Sequence, residues 1–105
     1  MSEPPEPASG VWLCQGRLHF LSAAYEQHLA PSTAVALYTR DADWLLLPLL
    51  AGAGGLQVKL RNARGDRVIE TQEFFRGQSL EDSPQVRPIG LLPDPATGGL
   101  RLQFK

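Results

Sequence analysis

The chain has 105 residues, 43% of them hydrophobic and 20% charged, with ten Lys and Arg against eleven Asp and Glu. This fits one modest globular domain and is too apolar for a disordered protein. A single cysteine excludes an internal disulfide framework. No apolar run approaches the ~20 residues of a membrane span. Charge is uneven: residues 1–50 sum to −3, residues 51–76 to +2 and residues 77–105 to zero. A total near zero gives no strong field for polyanions, so only the middle segment is a candidate nucleic-acid surface.

Residues 1–10 read as a disordered, acidic, Pro-rich leader, the opposite of a signal peptide's basic and apolar start. A cytoplasmic location is therefore expected. Residues 11–105 are expected to form a single small β-rich domain. Val11 to Leu21 reads as one strand, with Trp12, Cys14, Gly16, Leu18 and Phe20 on one face. A bulge or turn at Gly16 would split this run into a hairpin. Ser22 is a good N-cap residue for a helix of about two turns that ends before Pro31.

Thr33 to Thr39 and Trp44 to Leu50 are apolar strands flanking a loop over Arg40-Asp41-Ala42-Asp43. The second strand, WLLLPLL, is apolar on both faces, as expected for a strand buried on both sides or set against a partner. Pro48 places its end at an edge or bulge. Ala51 to Gly55 is a small-residue connection. Leu56, Val58 and Leu60 alternate with Gln57, Lys59 and Arg61 before a loop at Asn62-Ala63-Arg64-Gly65 and a return over Asp66 to Glu73. Gly65 suits the left-handed position that closes such a hairpin. Phe74-Phe75-Arg76-Gly77 reads as a short turn with both rings packed beneath it. Val86 to Leu92 and Leu100 to Phe104 are the last strands, separated by the turn-rich segment Pro93 to Gly99. The expected fold is mainly β, α+β at the margin: a small antiparallel barrel or sandwich-like sheet of six to seven short strands with one short helix.

Few residues carry chemistry. Cys14 with His19 or His28 is the only thiol–imidazole combination, and on an unbroken strand Cys14 and His19 face opposite sides. Two histidines nine residues apart and one cysteine lack metal-site spacing, and Asp41 with Asp43 lacks the rest of a calcium loop. Ala51 to Gly55 is followed by no Gly-Lys-Ser or Gly-Lys-Thr and opens no helix, so it reads as a plain loop and not a phosphate cradle. Glu70 with Glu73, and Glu81 with Asp82, read as wet surface. Arg64-Gly65-Asp66 matches an adhesion tripeptide, although nothing directs the chain outside the cell. No catalytic set, metal site or cofactor site is expected, and no membrane association.

Two surfaces remain. Trp44, Leu45, Leu46, Leu47 and Leu49 exceed what one strand pair needs for a core of this size, which marks a protein partner or a homodimer. Lys59, Arg61, Arg64 and Arg67 make the hairpin over residues 57–67 basic, and Arg101 and Lys105 would extend that face if they lay on a neighbouring strand. Asp66, Glu70 and Glu73 on the same hairpin would cancel part of its field. The leading expectation is a non-enzymatic interaction or assembly module using the apolar strand. The alternative is a small nucleic-acid-binding protein using the basic hairpin.

The order strand, helix, strand, strand in GRLHFLSAAYEQHLAPSTAVALYTRDADWLLLPL resembles, in pattern only, the swapped-hairpin transcription factors. Ser22-Ala23-Ala24 stands where that family opens its helix with proline, and Ala30-Pro31-Ser32 where it follows the helix with Gly-Asp. The chain is therefore not assigned to that family, and no residue role is carried over.

Overall fold

The computed structural model describes residues 10–40, 43–49, 54–75 and 86–104. The leader up to residue 9, Asp41, the connection over 50–53, residues 76–85 (with Glu81 and Asp82) and Lys105 lie outside the described residues. The fold is mainly β. Eight strands, β1 (Val11–Cys14), β2 (Arg17–Phe20), β3 (Ala34–Arg40), β4 (Asp43–Pro48), β5 (Leu56–Leu60), β6 (Arg67–Glu70), β7 (Arg87–Asp94) and β8 (Gly99–Phe104), form a closed antiparallel barrel. Their order around the wall is β1-β2-β6-β5-β3-β4-β8-β7, and β7 returns to β1.

The eighth strand comes from Gly16. Gln15 (φ 53°) and Gly16 (φ 76°) both take left-handed conformations, which is how a two-residue hairpin turn matches the twist of its strands. Val11 to Leu21 is thus two strands, paired as Val11↔Phe20, Trp12↔His19, Leu13↔Leu18 and Cys14↔Arg17. The turn corrects the face assignment expected for one strand. Val11, Leu13, Leu18 and Phe20, all at most 1% exposed, line the core, while Trp12, Cys14, Arg17 and His19 share the opposite face.

Helix α1 (Ser22–His28) follows β2 and adds Ala24, Tyr25 and Leu29 to the core. Ser22 is not its N-cap. Leu21 holds that position in extended conformation and makes no side-chain cap, and the Ser22 amide instead donates to the Asp66 carboxylate at 2.9 Å. The return strand of the third hairpin stops at Glu70, short of the expected Glu73. Thr71 is buried, its hydroxyl donates to the Gly16 carbonyl, and a single turn, α2 (Gln72–Phe75), begins there. This turn tucks Phe75 into the core with Phe74 packed beside it, as expected of the two rings. Trp44 meets Phe75 and Phe74 edge-on, at centroid separations of 5.2 and 6.1 Å.

Pro48 lies beyond the β4–β8 pairing, which covers only Trp44 to Leu46. Gly65 takes the expected left-handed φ of 93°. The β7–β8 hairpin turns on Asp94, whose carboxylate accepts from the Thr97 hydroxyl at 2.6 Å and whose carbonyl accepts the Gly98 amide at 2.9 Å. β7 and β8 extend to this turn, farther than the Pro93 to Gly99 loop expectation. Among the described residues no helix is long and apolar enough to cross a membrane.

Candidate functional site

The β4 strand divides between two faces. Trp44 and Leu46 point with the core residues Val35 and Leu37, and Leu46 is fully buried. Leu45 and Leu47 take the other face, opposite Tyr38 and Ala36 of β3. Leu49 follows with the same parity, its amide donating to the Ala34 carbonyl at 2.9 Å. Leu47, Leu49, Ala36 and Tyr38 are half-buried, whereas Leu45 has no exposed surface. Arg101 lies across from Leu45 on one side and Leu92 on the other, and Leu92 is 36% exposed. The outward wall therefore carries a row running Tyr38, Leu45, Arg101, Leu92 beside the pair Ala36 and Leu47.

Two ion pairs border this wall. Arg101 stands 3.7 Å from Asp43. Arg40 donates to Asp94 at 2.9 Å, linking β3 to the end of β7 on the face that carries Leu45. The Arg40 hydrogen bond, then that from Thr97, hold the Asp94 carboxyl below its ordinary range.

The basic hairpin is organised around a buried acid. Asp66 is 3% exposed and its carboxylate accepts from Asn62 Nδ2 at 3.0 Å, Arg64 Nη2 at 2.9 Å and the Ser22 amide. The Asn62 hydrogen bond first, then those from Ser22 and the charge of Arg64, keep its pKa low against the cost of burial. Asn62 Oδ1 also accepts the Arg64 and Asp66 amides. The Arg64-Gly65-Asp66 tripeptide is thus a structural turn whose carboxylate faces inward.

The four hairpin cations do not share one face. Lys59 pairs with Val68 and points outward, whereas Arg67 pairs with Leu60 on the other side of the ribbon. Arg67 donates to the Gly65 carbonyl at 3.0 Å and lies 4.1 Å over the Tyr25 ring. Arg61 lies 5.9 Å over the Trp12 ring. Arg101 does not extend this surface, because β8 pairs with β4 and β7 and not with β5 or β6.

The hairpin turn at Gly16 brings Cys14 and His19 to one face, contrary to the unbroken-strand expectation. There His19 stacks on Trp12 with centroids 5.3 Å apart and planes 8° from parallel. Arg17 and Glu70 form a forked pair beside it at 2.7 and 3.1 Å. His19 Nδ1 is buried without a hydrogen-bond partner. Burial first, then the charges of Arg61 and Arg17, push the His19 pKa down to about 4, with Glu70 opposing. The imidazole is therefore neutral at pH 7.

Among the described residues no three His, Cys, Asp or Glu side chains gather as a metal site. A hollow lined by Thr33, Ala34, Gly54, Gly55 and Gln57 holds no acid or base. No protein family, curated protein or solved structure matches the chain.

Sequence reasoning did not single out Asp66 as the hairpin's hub, nor Leu60, which is 62% exposed. Alternation alone places Leu60 with Val58 toward the core. Leu60 closes β5 opposite Arg67, at the very end of the barrel wall, and that position is a tertiary fact.

Proposed function

We propose that this protein is a non-enzymatic interaction or assembly module that binds a protein partner or a second copy through the outward wall of β3 and β4. The observation that carries this reading is the placement of Leu47 and Leu49, half-buried on the face turned away from the core and flanked by Ala36 and Tyr38. Trp44 and Leu46 lie on the core face behind this surface, and Leu45, although on the outward face, is fully covered. Trp44 packs with Phe74 and Phe75, and Leu45 and Leu46 have no exposed area. Burial of apolar surface, at ~25 cal/mol per Å², would drive association. With one cysteine in the chain, a cytoplasmic setting accords with this reading.

Nucleic-acid binding through Lys59, Arg61, Arg64 and Arg67 has less support, because the ribbon register splits these cations between two faces and Asp66 engages Arg64. Size-exclusion chromatography with light scattering tests the module. The expected result is a dimer that survives high salt and is lost in Leu47→Asp with the fold retained, or a monomer that cross-links to a specific protein less well after the same change. A monomer whose cross-linked partners ignore Leu47→Asp overturns the reading. Retention on DNA at low salt that Lys59→Glu abolishes would replace it with the nucleic-acid alternative.

A further inference from the structure

We infer that two copies of the chain pair antiparallel along the open edge of β3, from Ala36 to Arg40, and join their sheets there. The seam between β3 and β5 covers only Ala34 and Val35, as the two left-handed residues Gly54 and Gly55 bend the chain just ahead of Leu56. The Ala34 carbonyl accepts the Leu49 amide and the Thr33 carbonyl the Val58 amide, both at 2.9 Å, so successive residues of β3 bond to opposite sides. Leu37 and Thr39 therefore turn their N–H and C=O groups to the side that β5 leaves, and no described residue pairs with them there. An edge of this kind is a template for another strand. The opposite margin of the same sheet is guarded. β7 meets β1 only at Arg87 and Pro88, and farther on it turns Pro93, which has no amide, to that margin, since the Asp94 carbonyl faces β8. β3 has no proline between Ala34 and Arg40, and its one charge, Arg40, is held by Asp94.

The edge complements itself, which is why the occupant is a second copy. With a two-fold axis at Tyr38, Leu37 lies opposite Thr39 of the other copy, and each such pair exchanges both of its backbone hydrogen bonds. Tyr38 faces its own counterpart at a non-hydrogen-bonded position, where side chains stand closer and aromatic pairs add stability. Arg40 lies opposite Ala36, so no like charges meet across the axis. Moving the axis to Ala36 would require Val35, which is already paired with Leu56, and moving it to Arg40 would set two arginines face to face. At a net charge of −1, two copies barely repel each other. This pairing uses the backbone of β3 and goes beyond the function proposed above. The wall of Leu47 and Leu49 still faces outward in the dimer, so the two readings stand or fall separately.

The test is sedimentation of the full chain over a concentration series, with amide hydrogen exchange read by NMR on the same samples. A dimer is expected whose formation slows exchange of the Leu37 and Thr39 amides. Thr39→Pro removes an amide with no acceptor among the described residues, and should weaken association at least about tenfold while the amide spectrum of the barrel is kept. Leu47→Asp should leave this dimer unchanged. A chain that stays monomeric up to about 1 mM overturns the inference, even where an unrelated β-strand peptide protects the same two amides, which would assign the edge to such a partner. A dimer that ignores Thr39→Pro and is lost in Leu47→Asp also overturns it, and leaves the wall of Leu47 and Leu49 as the interface. If Thr39→Pro does not fold, the parent protein decides: Leu37 and Thr39 amides that exchange equally fast in monomer and dimer overturn the pairing.

Discussion

The Asp66 carboxylate accepts the Ser22 amide at 2.9 Å and so caps α1 from a hairpin 44 residues away in sequence. An isolated helix of seven residues is unstable in water, and the first-turn amides of α1 receive no cap from Leu21. Asp66 supplies that cap while ordering its own loop through Asn62 and Arg64. Asp66→Ala would leave buried donors unmatched at both places. A loss of about 2–4 kcal/mol is expected, larger than a simple N-cap deletion. Asp66→Asn, which keeps one acceptor oxygen, should recover part of it. Chemical denaturation of the three proteins measures this, and equal stability of all three would show that the cap carries no weight.

The stacked His19 predicts acid sensitivity. Its folded pKa of about 4 lies below the unfolded value of 6.5. As pH falls below 6.5 the unfolded chain takes up a proton that the folded one refuses, so stability drops. The loss saturates once pH passes below about 4 and both states are protonated. Solvent reaching the half-buried ring screens part of this, which leaves a loss of about 1–2 kcal/mol. Asp66 and Asp94, whose folded pKa values are lowered from 3.8, add their own loss only in still stronger acid. His19→Phe keeps a ring against Trp12 and removes the proton. Its stability should fall less between pH 6.5 and 4 than the parent's, the remaining decline coming from His28, whose pKa burial also lowers, and parallel curves would refute the assignment.

Gly55 and Gly54 form a matched pair for a backbone test. Both have positive φ, 84° and 86°. A Cβ on Gly55 would stand 2.6 Å from the Val35 carbonyl oxygen, whereas one on Gly54 meets nothing within 4 Å. Gly54→Ala should therefore cost only the left-handed strain, about 1 kcal/mol, and Gly55→Ala distinctly more, because β3 must move. Thermal melts of the two variants decide the ordering.

Much of this fold could be read from residue pattern. The β3, β4, β5 and β8 runs, the short helix before Pro31 and the left-handed Gly65 all follow from alternation, propensity and turn chemistry. The β1–β2 hairpin was harder, because Gly16 permits a bulge or a turn, and only pairing with β6 and β7 selects between them. That choice flips the faces of Leu18 and His19. Strand order is non-local, so no sequence pattern could show that β8 stands away from the basic hairpin. The candidate surfaces were legible as segments but not as faces: Leu46 and Leu47 look alike in sequence, and Asp66 looks like any charged turn residue.

The two faces of β4 separate stability from assembly, and neighbouring leucines test this. Leu46 is fully buried in the core, so Leu46→Ala should cost about 2–5 kcal/mol through lost burial and a cavity. A charge at Leu46 would unfold the barrel and say nothing about a partner. Leu47 lies on the opposite, half-buried face, and Leu47→Ala should cost about 1 kcal/mol or less in the monomer. If this wall binds a partner, the order reverses for association: Leu47→Ala lowers it, while Leu46→Ala at a temperature where the barrel stays folded leaves it nearly unchanged. Denaturant unfolding and sedimentation of the same two proteins give both numbers. Equal stability losses at the two positions would mean that Leu47 is core as well, and the outward wall of β4 would no longer be a candidate interface.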